Sequence, residues 1–188
     1  MSSESRVLYV DADPATAEAV RESLEAAGFS VETVASADEG TARLEAADAP
    51  GFDCVVSALE LPDADGLEFL RSVRSDHPSV PFVLYPDAGS ETVASEAVSA
   101  GVTEYVPRAD QTGHERLLEA IREAVETANR EHFGSLFEHL PTAVVYGEIR
   151  PDGPVVERVN PAFEETRLRH RGDDRREPRR ADCPRGPP

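Results

Sequence analysis

The chain has 188 residues, with 37 acidic side chains against 19 basic ones, and every basic one is Arg. A net charge of −18 excludes a nucleic-acid or anionic-membrane surface over most of its length. Two cysteines, Cys54 in an apolar run and Cys183 in a polar tail, make neither a disulfide framework nor a metal set.

An acidic surface without Lys suits a protein that stays soluble in concentrated salt, where charge repulsion is screened within about 3 Å. Ordinary acidic solubility is the plainer reading. Met1 to Arg6 is short and polar and does not read as a signal peptide. No apolar run approaches the roughly 20 residues of a membrane span. The expectation is a cytoplasmic protein that does not enter a membrane.

In chain order, Val7 to Val10 reads as a buried strand. Asp13-Pro14 then opens a helix, with Asp as N-cap and Pro at the first helical position. Ala17, Val20, Leu24 and Ala27 recur at helical spacing, and Gly28 stops them. Val31 to Val34 is a second strand. Ser36-Ala37-Asp38-Glu39 reads as a capping box before a helix through about Ala47. Cys54 to Ser57 is a third strand, and Asp65-Gly66-Leu67-Glu68 caps the helix that follows it.

Val80 to Tyr85 predicts a fourth strand, Ser90 to Ala100 a helix stopped by Gly101, and Glu104 to Val106 a fifth strand. Thr112-Gly113-His114-Glu115 starts a long helix. Its apolar positions run from Leu117 through Ile121 and Val125 to Phe133, Phe137 and Leu140. One connecting helix, or two broken near Gly134, fits that pattern.

Five strands alternating with five helices predict an α/β fold: a doubly wound five-stranded parallel sheet, flavodoxin-like. After Pro141 the pattern changes. Ala143 to Ile149 and Val155 to Val159 read as strands joined at Pro151-Asp152-Gly153, and Asn160-Pro161-Ala162-Phe163 begins a new element. Residues 166–188 hold eight Arg, four Pro and one large aliphatic residue, Leu168. Such a segment cannot bury a core. A disordered terminus, a basic arm, and a reading frame lost near Thr166 are the three readings of it, the last favoured.

Ligands in an open α/β sheet bind outside the carboxyl ends of the strands. Three such ends converge on one crevice: Asp11-Ala12-Asp13, Ala58 and Pro107-Arg108. Asp13 serves as a helix cap without any metal. Arg108 either pairs with Asp11 across the crevice or points into water. Pro86 and Asp87 read as turn residues. Among the histidines, His77, His114, His132 and His139 show no ligand spacing.

The segments "VLYVDADP", "DCVVSALELPDADGLEFL" and "PFVLYPDAGSETVASEAVSAGVTEYVPR" resemble the receiver domain of two-component response regulators, over about Arg6 to Val125. The resemblance implies phosphoryl transfer from a phosphohistidine to an aspartate, assisted by Mg²⁺. Carried over residue by residue, it implies a degenerate pocket. Asp11 matches the first acid of the metal pair and Asp13 the next, while Ala12 takes the second acid's place. Ala58 stands at the phosphoacceptor, Pro86 at the hydroxyl position, and Arg108 at the lysine position. Glu60 matches a backbone metal contact. Tyr105 falls where the family has an aromatic switch residue; an ordinary half-buried strand residue is the plainer reading.

Leu136 to Glu165 resembles the start of a PAS domain, without the later strands that would form a cofactor pocket. The predicted organisation is a receiver-like domain at 1–125, a connecting helix at 126–140, a truncated PAS-like segment at 141–165 and the Arg/Pro-rich tail at 166–188. The chain resembles the N-terminal part of receiver–PAS regulators and sensor kinases of salt-loving archaea.

The resemblance, taken with the departures at Ala12, Ala58 and Pro86, implies signal transduction by protein contact, without catalysis and without phosphorylation. Its partners would be a histidine kinase or a downstream regulator. The face of helix four, strand five and helix five, Ser90 to Val125, would serve for output, and that face or the connecting helix for a homodimer. No cofactor is expected; Asp11 and Asp13 are weak Mg²⁺ candidates, and nucleic acid is not an expected partner. Three alternatives stand beside this: a phosphoacceptor using Glu60 or Asp11, the N-terminal remnant of a receiver–PAS kinase or transcriptional regulator, and a flavodoxin-like small-ligand binder. The last is disfavoured because Asp11-Ala12-Asp13-Pro14 has no glycine and would repel phosphate.

Overall fold

A computed structural model describes residues 5–46, 51–108, 113–150 and 153–165. Its elements are β1 (Arg6–Val10), α1 (Pro14–Ala26), β2 (Ser30–Val34), α2 (Ala37–Ala46), β3 (Cys54–Ser57) and α3 (Gly66–Asp76). There follow β4 (Phe82–Leu84), α4 (Glu91–Ser99), β5 (Glu104–Tyr105), α5 (Gly113–His139), β6 (Val145–Arg150) and β7 (Gly153–Val159). The first five strands make one parallel sheet in the order β2-β1-β3-β4-β5. This is the expected doubly wound fold. The order reverses next to β1, so the switch point lies at the carboxyl ends of β1 and β3.

Strand alternation sorts the core. Val7 and Tyr9 face one side of the sheet, packed with Val20 and Leu24 of α1 and Leu117 and Ile121 of α5. Leu8 and Val10 face the other, packed with Leu44 of α2, Leu70 of α3 and Ala97 of α4. Because successive side chains point to opposite faces, four consecutive apolar residues serve two helical layers at once.

The caps follow the sequence closely. Asp13 accepts from the N–H groups of Ala15 and Thr16, and Pro14 opens α1. Asp65 and Glu68 form the expected reciprocal box. Gly28 ends α1 with a φ of +91°, a conformation that costs glycine little.

At α2 the expected box is half formed. Ser36 accepts from Glu39 N–H, but Glu39 reaches back to Ala35 N–H. The first N–H groups of α2, Ala37 and Asp38, are instead capped by Asp63 from the β3–α3 connection, at 3.0 and 2.8 Å. A side chain some 25 positions away could not be assigned from local spacing.

The strands at Val80–Tyr85 and Glu104–Val106 are shorter than predicted, although their ends continue the ladder. Tyr85 N–H donates to Ser57 carbonyl, and Val106 N–H to Leu84 carbonyl. The long helix is one element. Gly134 lies inside α5 without breaking it, consistent with a glycine penalty of only about 1 kcal/mol. Ala47, Thr112, Pro151, Asp152 and the tail at 166–188 lie outside the described residues.

The chain divides into a unit through Arg130 and a second from Glu131. In the second, β6 and β7 pair antiparallel. Asn160 is fully buried there. It accepts from Val144 and Phe163 N–H, and donates to the Leu140 and Thr142 carbonyls. One side chain thereby satisfies the backbone of the helix end, the strand entry and the turn that follows β7.

Cys54 is buried in β3. Burial, with the charge of Asp53 adding and that of Arg74 opposing, pushes its thiol up to about 12. The thiolate is the reactive form. Brief alkylation of the folded chain at pH 8 followed by peptide mapping is expected to leave Cys54 unlabelled; labelling there would mean that the strand opens. The unfolded thiol ionises near pH 8.5 and the buried one does not. Stability present below that pH is therefore lost as pH rises from it toward 12.

Candidate functional site

Backbone ladder bonds carry four strand ends into one crevice. Asp11 N–H donates to Val34 carbonyl at 3.0 Å, and Ala58 N–H to Val10 carbonyl at 2.9 Å. Arg108 N–H donates to Pro86 carbonyl at 2.8 Å. The residues after β1, β3, β4 and β5 are thus fixed relative to one another by main chain before any side chain acts.

Asp11 is buried and holds three donors. Its Oδ2 accepts from the Tyr9 hydroxyl at 2.8 Å and from Arg108 Nη2 at 2.7 Å. Its Oδ1 accepts from Asp13 N–H at 2.9 Å. Arg108 Nη2 also lies 3.1 Å from the Tyr9 hydroxyl. Arg108 Nη1 pairs with Asp87 at 2.6 Å, and the guanidinium sits 4.8 Å from the centre of the Tyr85 ring. Of the two readings of Arg108, the fold selects the pairing with Asp11. Asp87, read from sequence as a turn residue, is also its partner, which corrects that reading.

Charge and burial reinforce one another here. Burial alone would lower the Arg108 pKa, but Tyr9, Asp11 and Asp87 outweigh it and hold the guanidinium above its ordinary value. Burial, opposed by Arg108 and aided by Asp11, pushes the Tyr9 phenol far above its usual range. Burial also raises Tyr85, again against Arg108. Tyr85 Oη and Arg108 Nε are buried without a partner in hydrogen-bond geometry.

The side chains of the remaining predicted residues lie apart from this network. Asp13 commits its carboxylate to α1, and the Thr16 hydroxyl and the Ala15 N–H hold it below the usual carboxylate range. Ala12 and Glu60 are exposed, while Ala58 and Pro86 are buried. Ala58 offers a methyl group at the end of β3, and Ser57 turns its hydroxyl onto the Ala58 carbonyl at 2.8 Å. Tyr105 is half-buried against the α2/α3/α4 layer, and its hydroxyl accepts from Ser90 N–H at 3.1 Å. Sequence reasoning passed over Tyr9 and Tyr85. For Tyr9 a signal existed, because it lies two residues before Asp11 on the same face of β1.

The sequence model of the response regulator receiver domain matches residues 7–122. The chain belongs to that family.

Among curated relatives, this receiver is 32% identical over 126 residues to the C4-dicarboxylate transport transcriptional regulatory protein DctD of Rhizobium meliloti, covering 67% of this chain and 26% of that protein. It is 32% identical over 118 residues to the bacterioopsin transcriptional activator of Halobacterium salinarum, covering 63% of this chain and 17% of that protein. The match therefore spans about a quarter or less of either relative's length. Among solved structures, a CheY-like receiver domain protein of Methanospirillum hungatei superposes with a TM-score of 0.62 at 28% identity, covering 69% of this chain and 99% of that one.

Receiver domains are signalling modules of two-component systems and meet histidine kinases or downstream effector domains. The Mg²⁺ that the family implies does not fit the residues present. Both oxygens of Asp11 are taken, one by a guanidinium; Asp13 caps a helix; Ala12 and Ala58 offer no oxygen from their side chains. Among the described residues, no three His, Cys, Asp or Glu side chains converge as metal ligands. Nor is any described helix long and apolar enough to cross a membrane.

Proposed function

We propose that this receiver transmits a signal through protein contact, without accepting a phosphoryl group. The observation that carries the reading is Ala58 at the end of β3, beside an Asp11 whose oxygens are already occupied. A methyl group has no lone pair with which to attack phosphorus, and Ser57 is buried with its hydroxyl bonded to the main chain. Glu60, the nearest other acid on that strand end, is exposed.

The surface from Ser90 to Val125 serves as the contact face, with a histidine kinase or a downstream regulator as partner. The helix–hairpin at 136–165 is read as the beginning of a PAS-like segment. Support for that comes from the order of its elements and from the role of Asn160 in joining them.

Intact mass in high salt with Mg²⁺ and acetyl phosphate tests the reading, with Ala58→Asp alongside. The wild type is expected to gain nothing; a phosphoryl group on the variant would mean that the crevice survives and lacks only its nucleophile, and none would mean that the Arg108–Asp11 pair shuts out the metal as well. A phosphoryl group on the wild type would overturn the reading and send the search to Glu60 or Asp11.

A further inference from the structure

Arg108 joins two separate parts of the chain. One arm holds Asp11 at the end of β1, together with the Tyr9 hydroxyl. The other holds Asp87, in the connection between β4 and α4, at 2.6 Å. Its own main-chain N–H is bonded to Pro86, the residue before Asp87. Three residues beyond Asp87, Ser90 caps α4, and its N–H is held by the Tyr105 hydroxyl. Bonds therefore lead from a buried carboxylate to Asp87, and the chain continues through Ala88 and Gly89 to the first turn of α4. Arginine suits the junction because its charge is permanent and its planar fork can serve two carboxylates at once.

We infer that Arg108 is a built-in counter-ion: it takes the place of a diffusible cation against Asp11 and, by gripping Asp87, fixes the β4–α4 connection and the start of α4. The conformation of that connection is then set by the chain itself. A divalent cation could reach Asp11 only by displacing a guanidinium already bonded on both arms. Arg108 acts here as a positioning residue, through Asp87, on the surface assigned to partner contact.

Hydrogen exchange of the full chain in high salt, read by mass spectrometry over Pro86 to Val93, tests this. The wild type, Arg108→Gln, Asp87→Asn and the double variant are each measured with and without millimolar MgCl₂. Local opening governs such exchange, and the expected rise is about tenfold for Arg108→Gln and about threefold for Asp87→Asn. The double variant should exchange no faster than Arg108→Gln, since both changes break one bridge. The wild type should not respond to MgCl₂.

Unchanged exchange in Asp87→Asn would overturn the inference. So would effects that multiply in the double variant, or a wild-type segment that tightens with MgCl₂. Asp87 is 79% exposed, so its variant folds and decides the matter even if Arg108→Gln does not. Phosphoryl uptake at Glu60 would sink the reading of Ala58 and leave this latch standing, uptake at Asp11 would sink both, and unchanged exchange in Asp87→Asn would sink the latch alone; peptide mapping of the phosphoryl group separates the cases.

Discussion

Gly66→Ala is expected to lower the unfolding free energy by about 3 kcal/mol, the upper part of the range for forcing atoms into a packed site. A Cβ at Gly66 would lie 2.3 Å from the Ala58 carbonyl oxygen, 2.9 Å from Leu84 Cδ1 and 3.1 Å from Leu59 Cα. Two of those three neighbours are main chain and cannot rotate away. The helix α3 begins hard against the end of β3, fixed there by Gly66 N–H donating to Leu59 carbonyl at 2.7 Å. Relieving the clash would pull α3 away from the crevice and loosen the packing of Leu67 and Leu70, which are 4% and 0% exposed. Gly51→Ala is the control, because a Cβ there meets nothing within 4 Å. Urea denaturation followed by circular dichroism should separate the two variants clearly. Equal midpoints would mean that the α3–β3 approach is looser than described.

Asp11→Ala is expected to destabilise the chain by about 2–3 kcal/mol, near the low end for removing one partner of a buried ion pair. Three donors lose their acceptor together: the Tyr9 hydroxyl, Arg108 Nη2 and Asp13 N–H. Arg108 keeps Asp87, which limits the loss. A double-mutant cycle with Arg108→Ala should show a shortfall from additivity, because both changes break the same Asp11–Arg108 bond. Strict additivity would mean that the two side chains do not depend on each other. Denaturation can be followed by tyrosine fluorescence, since the chain has no Trp and Tyr9 and Tyr85 both border the site.

These two sites differ in how far they could be foreseen. The helix cap at Asp65 and Glu68 is a local pattern of four residues, and the structure reproduces it. The close approach of Gly66 to Ala58 spans eight positions and two element types, and no spacing rule reports it. Asp11, Ala58 and Arg108 were legible as occupants of strand ends once the alternation of strands and helices was read. The destination of Arg108 was not, because an arginine fork at a strand end has several carboxylates within reach in principle. Asp87 looked like turn chemistry beside Pro86, and only the spacing of β4 and β5 brings it to the guanidinium.

The sequence by itself determined the short apolar strand runs, the helix starts and stops, and the absence of a nucleophilic side chain at position 58. Those features depend on residues within a turn or a strand of one another, so chain order suffices to state them. Only the tertiary structure decided that Asp63 caps α2, that Tyr105 is tied to Ser90, and that Asp11, Tyr9, Arg108 and Asp87 form one bonded set. Each of these joins groups from different elements. Hydrogen bonds and ion pairs act over about 3 Å and need aligned partners, so which polar groups meet depends on the packing of the sheet rather than on their order along the chain.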